Sequence, residues 1–212
     1  QVLKSNTTLE DLDISGSFVC EHVATFIAQN RSLTSLNLVS CRMDDRVGIK
    51  LFKGTDRFKN LLVADNLFTV QTLAHIVKNK GLRTLDFSSV KSVNHKACKL
   101  LAQHPSLQTL KLFKNNIQSS GAFALFKSTS ITSLNLSKNK IGDDAVQPLV
   151  QNSALRELIL WSNQISDEGV NTIFKHNKTL VTVNLLTNQL TGNADVYLKN
   201  HSQLLLGGST FS

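Results

Sequence analysis

The sequence predicts an α/β solenoid: a right-handed superhelix, horseshoe or arc, with parallel β-strands on the concave face and helices on the convex face. Three observations carry this. One apolar pattern returns along the whole chain at intervals of 24 or 25 residues, which marks stacked supersecondary units rather than a closed core. Within each interval a short alternating stretch is followed by one of helical spacing. The chain has 212 residues, 41% apolar and 18% charged, so it can bury a substantial core and is not a disordered tail.

The repeated pattern is L-x-x-L-x-L-x-x-N-x-L, a leucine-rich repeat. The first four copies are the less regular: Leu9, Leu12, Ile14, Ser17, Val19; Leu33, Leu36, Leu38, Cys41, Met43; Phe58, Leu61, Val63, Asn66, Phe68; and Leu82, Leu85, Phe87, Val90, Ser92. The next four are cleaner: Leu107, Leu110, Leu112, Asn115, Ile117; Ile131, Leu134, Leu136, Asn139, Ile141; Leu155, Leu158, Leu160, Asn163, Ile165; and Leu180, Val183, Leu185, Asn188, Leu190. A partial ninth start falls at Leu204, and residues 1–212 read as a single domain.

Each element follows from the pattern. The residues leading into the x-L position form a short strand whose leucines point inward while their neighbours face out. The asparagine turns the chain, its side chain bonding backbone groups that would otherwise be buried unpaired. Ser17 and Cys41 retain a polar atom for this, but Val90 has none, so the ladder is expected to break or distort at the fourth repeat. Apolar residues at helical spacing follow, such as Val70, Leu73, Ile76 and Val77, with starts marked by Ser119 and Ser120, Asp143, and Ser166 and Asp167. Pro148 predicts a short or kinked outer helix in the sixth repeat, since an interior proline costs about 3 kcal/mol.

The run from Asn115 to Leu125 fits N-x-I-x-x-x-G-A-x-A-L, and Asn139 to Val146 and Asn163 to Val170 follow it in part. In this the chain resembles GALA-type leucine-rich repeats of bacterial effectors, and ribonuclease-inhibitor-type repeats, which run longer, are similar. The resemblance implies a bacterial effector acting in the host cytosol. It specifies architecture far more than activity. Leu3, Lys4, Asn6, Thr8 and Leu9 align with Phe174, Lys175, Asn177, Thr179 and Leu180, so the chain is expected to open at the helical end of a repeat, with further sequence upstream.

Eight strands about 4.8 Å apart make an inner face roughly 34 Å long, a size suited to a protein partner. Phe113, Ile159, Trp161 and Leu186 are predicted to converge on its C-terminal half, beside Lys111 and Asn135. Aromatic anchors dominate protein interfaces, so these six are the candidate contact residues. Acidic residues gather towards the N-terminal half and Lys111, Lys114, Lys138 and Lys140 towards the other, which suggests an acidic partner.

No phosphate loop, zinc-ligand spacing or nucleophile elbow occurs, so no catalytic residue, cofactor or metal is predicted. Three cysteines, Cys20, Cys41 and Cys98, are too few for a disulfide framework and fit a reducing, cytoplasmic setting. Asn-x-Ser/Thr matches such as Asn30 and Asn177 read as by-products of the repeat. The expectation is a monomeric, non-catalytic interaction module, plausible as the host-protein recognition domain of an effector. The alternative is a substrate receptor or regulatory subunit of a ubiquitin ligase or other enzyme. A binder of an anionic surface or nucleic acid, motivated by the net charge of +8, ranks lower because the basic residues are spread among the repeats.

Overall fold

The computed structural model describes residues 2–90 and 93–191. Its strands are β1 (Asp11–Asp13), β2 (Ser35–Asn37), β3 (Asn60–Leu62), β4 (Thr84–Asp86), β5 (Thr109–Lys111), β6 (Ser133–Asn135), β7 (Glu157–Ile159) and β8 (Thr182–Asn184). All pair in parallel, in sequence order, in one open sheet. The helices are α1 (Val2–Ser5), α2 (Glu21–Gln29), α3 (Asp45–Phe52), α4 (Val70–Ile76), α5 (His95–Ala102), α6 (Ser119–Leu125) and α7 (Asp167–His176). This is the predicted α/β leucine-rich repeat solenoid.

Every strand has three residues, because only the central one turns inward. Leu36, Leu61, Leu85, Leu110, Leu134 and Leu158 are at most 1% exposed, whereas the residues on either side of them face outward. The register is continuous, with Leu85 opposite Leu110 and Leu110 opposite Leu134, so the leucines stack into one core column. Helical turns from the other side close that core with Ile27, Leu51, Leu73, Leu101 and Leu125. Where adjacent helices meet, small residues are required: a Cβ on Gly48 would sit 2.6 Å from Thr72 Oγ1.

The sixth repeat behaves as its proline dictates. In place of an α-helix it has two 3-10 turns, Asp143–Ala145 and Gln147–Val150, with Pro148 at the start of the second.

Asparagine side chains bind successive coils together. Asn139 Nδ2 donates to Leu112 O at 3.0 Å in the preceding coil and to Leu136 O at 2.8 Å in its own. Its Oδ1 accepts from Asn115 N and Ile117 N. Asn66, Asn163 and Asn188 repeat the arrangement, and Cys41 Sγ substitutes for it by donating to Ile14 O. Removing the Asn139 amide leaves several buried backbone groups unpaired, so Asn139→Ala is expected to destabilise by about 1–3 kcal/mol, measurable as a lowered urea midpoint.

The expected disruption at the fourth repeat is confined to this side-chain ladder. Val90 contributes no bond, but Asn115 reaches back to it, accepting from Val90 N at 2.6 Å and donating to Phe87 O at 2.8 Å. The strands on both sides keep their register. Ser92 lies outside the described residues, and the next buried apolar side chain is Val93. The ninth start at Leu204 also lies outside them.

A second ladder runs along the edge where helices lead into strands. Asn30, Asn152 and Asn177 each donate from Nδ2 to carbonyls of the preceding coil and accept at Oδ1 from the backbone two and three residues on. These side chains are thus fully used within the fold, in keeping with the reading of the Asn-x-Ser/Thr matches at Asn30 and Asn177. His104 takes the same place in the fifth repeat, with Nε2 donating to Asn79 O at 2.9 Å and Nδ1 accepting from Ser106 N.

Burial pushes the His104 imidazole below its ordinary value of 6.5; the Asn79 carbonyl opposes this and the Lys80 charge adds to it. A histidine with a lowered folded pKa binds its proton more readily when unfolded. Its contribution to stability is therefore complete above about pH 6.5 and is lost progressively as pH falls below that, by at most about 1.4 kcal/mol per pH unit. Melting curves at neutral and mildly acid pH should show this loss. His104→Asn, which installs the residue used by the neighbouring repeats, should flatten it.

Candidate functional site

Three rows of side chains stand on the open face of the sheet, from the first and third strand positions and from the second residue after each strand. In the third-position row Asp13, Asn37, Asp86, Asn135 and Asn184 each accept a hydrogen bond from the backbone N–H two residues on. They form the turn that ends the strand. The backbone N–H of Ser15, together with the Ser15 and Asn37 side chains, holds the Asp13 carboxyl below its usual range. Asn135, predicted as a contact residue, thus has a structural duty as well. Leu62, Lys111 and Ile159 occupy the same row with side chains that cannot make this bond.

The left-handed residues beside the face also belong to the fold. Ser40, Asp65, Ser89, Lys114, Lys138, Ser162 and Thr187 have φ between 51° and 57° and occupy the same place in successive repeats, with Gly16 there in the first. A conformation common to every coil marks the turn, not a local site.

What distinguishes the C-terminal half is the row after the strands. Phe113 and Trp161 stack with ring centroids 6.3 Å apart and planes 8° from parallel. They follow β5 and β7, strands that lie about 10 Å apart at the usual spacing, so the rings lean together over the intervening repeat. There Ser137, 2% exposed, lies buried, and a small residue at that position leaves room for them. Lys138 Nζ caps the pair, 4.7 Å from the Trp161 ring and 5.5 Å from that of Phe113. Trp161 Nε1 donates to Thr187 Oγ1 at 3.1 Å, fixing the indole edge.

Phe113, Ile159, Trp161 and Leu186 are each half-buried on this half of the face. Ile159 stands two residues before Trp161, opposite Asn135 and Asn184. Leu186 follows β8, its carbonyl accepting from Ser162 N. Lys111 ends β5 between Asp86 and Asn135 and is exposed. Phe113 and Trp161 are therefore in direct contact, with Ile159, Leu186 and Lys111 placed around them by register. The most exposed large apolar residues of the folded coils, Phe18 and Leu67, lie at the other end, where strands lead into helices. The leucine pattern gave no sign of them, since both are variable positions of the repeat.

The acidic residues of the face gather towards β1–β4, with Asp11 and Asp13 on β1, Asp65 after β3 and Asp86 on β4; the exception is Glu157 on β7, whose carboxylate accepts from Ser133 Oγ. The face thus runs from acidic to basic and aromatic. Among the described residues no three His, Cys, Asp or Glu side chains are grouped to hold a metal ion. Burial pushes the Cys98 thiol up to about 12 and raises that of Cys41, while backbone N–H groups of Val23 and His22 lower that of Cys20. No described helix is long and apolar enough to cross a membrane.

Comparisons with known proteins agree with this architecture. The Leucine Rich repeat family model matches residues 29–51, 103–126, 127–150 and 151–174. Among solved structures, an internalin (inlF) from Listeria monocytogenes is similar at 20% identity and a TM-score of 0.60, over 95% of this chain and 60% of that one. The plant peptide hormone receptor RGFR1, solved in complex with RGF2, is similar at 18% identity and a TM-score of 0.53, over 89% of this chain and 30% of the receptor chain. The chain thus spans less than two thirds of either structure, and at these identities the likeness shows the fold. No curated protein matches in sequence.

Proposed function

We propose that this leucine-rich repeat solenoid is a non-catalytic protein-interaction module whose recognition surface is the C-terminal half of the sheet face. The observation that carries the reading is the Phe113–Trp161 stack under Lys138. Two large rings held rigidly on a solvent-facing sheet supply contact area at little entropic cost to a partner. The fold does not require them, since the equivalent positions elsewhere are Ser15, Val39, Ala64, Ser88 and Ser137. Lys111, Lys114 and Lys138 around the rings favour an acidic partner segment, and Ile159 and Leu186 extend the apolar contact. That an internalin and a peptide hormone receptor share the fold is consistent with binding of a protein or peptide.

The finer reading is the recognition domain of a bacterial effector working in the host cytosol. It is supported by the GALA-like run from Asn115 to Leu125 and by the sparse, unpaired cysteines. Affinity capture from host-cell lysate tests it, using the native chain beside a folded Phe113→Ala/Trp161→Ala variant. Partners retained by the native chain and lost by the variant are expected; identical captures would move the surface elsewhere. A captured ubiquitin-ligase component would select the substrate-receptor alternative.

A further inference from the structure

The basic residues that are scattered along the sequence are gathered in space. The eight loops leading from a helix into a strand contain ten of the chain's 23 Lys and Arg residues and only two acidic ones, Glu10 and Asp56. Because the repeat returns every 24 or 25 residues, each of these loops comes back to the same edge. Backbone bonds stack them: Arg83 N donates to Lys59 O at 2.8 Å, and Gln108 N to Arg83 O at 2.9 Å. The charge is densest in two neighbouring loops of equal length, which contribute Lys53, Arg57, Lys59, Lys78, Lys80 and Arg83. None of these six forms an ion pair among the described residues, and all but Arg57 are exposed.

An open cleft of about 770 Å³ enters this edge between α2 and α3, walled by Arg31, Lys50, Lys53 and Arg57. Arg57 is fixed in its wall. Its guanidinium lies 4.3 Å over the Phe58 ring and donates to Ile27 O and Ala28 O, while its Nε is buried without a hydrogen-bond partner. At the far side Arg46 is paired with Glu21, and Asp56 also lines the cleft, so Arg31, Lys50, Lys53 and Arg57 leave it with a net positive wall.

We infer that this edge docks on an anionic phospholipid surface, the cleft receiving a headgroup. The loops between α2 and β8 have five to seven residues each and lead into strands paired in continuous register, so their cations are spread along one edge, suited to a plane of charge rather than to a single strand. Phe58, the aromatic of the two densest loops, is buried, leaving no ring there on which a nucleic-acid base could stack. Attraction of this kind is additive per cation and screened by salt. The edge is separate from the aromatic face, so each can fail without the other.

The test is flotation of the chain with vesicles of phosphatidylcholine alone or with about 30% phosphatidylserine, at low and physiological salt. Binding only to the anionic vesicles, weakened by salt, is expected. A Lys59→Glu/Lys80→Glu/Arg83→Glu variant with an unchanged thermal midpoint should lose roughly tenfold or more, whereas Phe113→Ala/Trp161→Ala should bind as the native chain does. If the triple variant does not fold, Lys59→Gln alone should still give a measurable loss. Absence of binding at low salt, equal binding to neutral vesicles, indifference to the charge changes, or preferential capture of duplex DNA at a salt concentration that releases vesicles would each overturn the inference.

Discussion

Replacing Leu136 by alanine is expected to lower the unfolding free energy by about 2–5 kcal/mol. Leu136 is fully buried at the third leucine position, beneath the turn that leads out of β6. Its neighbours cannot collapse into the space, because Leu112 and Leu160 occupy the same place in the coils on either side and are also fully buried. Their backbone is fixed as well: Leu112 N, Leu136 N and Leu160 N each donate to the next strand at 2.8 Å. Leu160→Ala should behave alike. In a stack of repeats the loss is transmitted through the interfaces to both neighbours, so it should appear as a lowered midpoint of the whole transition. An unchanged midpoint would mean that the leucine register is wrong.

Phe113→Ala and Trp161→Ala are each expected to weaken partner binding by about 2 kcal/mol or more, roughly thirtyfold, with little change in stability. The two rings support each other, so their effects should not add: removing one frees the other from its stacked pose. Lys138 is held over both rings, and Lys138→Met should reduce the association rate and its salt dependence more than the dissociation rate, as for a charge that steers an acidic partner.

The sequence-to-structure link is strongest where a residue's duty is local and periodic. The strand register from Leu36 to Leu158 could be read directly, and Pro148 marked the outer helix of the sixth repeat as short or kinked, where the fold has two 3-10 turns. The second ladder was legible too, because Asn30, Asn79, His104, Asn152 and Asn177 each precede the first leucine of a repeat by three residues. It lies upstream of that leucine, outside the L-x-x-L-x-L-x-x-N-x-L pattern. By residue type alone His104 is one of several scattered histidines; its place among those asparagines gives it its duty.

Other features depend on how side chains lean and on how loops return to one edge. Alternation placed Phe113 and Trp161 on the outer face, but their contact over Ser137 joins repeats that are not adjacent. Asn135 looked like a free contact residue, whereas its Oδ1 closes a turn. The basic edge escaped for a related reason: Lys59, Lys80 and Arg83 appear dispersed along the chain, and only the stacking of successive loops shows them together.

Trp161 is the only tryptophan in the chain, so its fluorescence reports on the proposed surface alone. The most direct measurement is a titration of a captured partner followed in parallel by Trp161 emission and by calorimetry, with a partner lacking tryptophan or labelled so that its own emission is silent. Emission that shifts to the blue and saturates at the calorimetric stoichiometry is the predicted result, because the half-buried indole becomes covered. Complete binding by calorimetry with unaltered Trp161 emission would contradict recognition through this face.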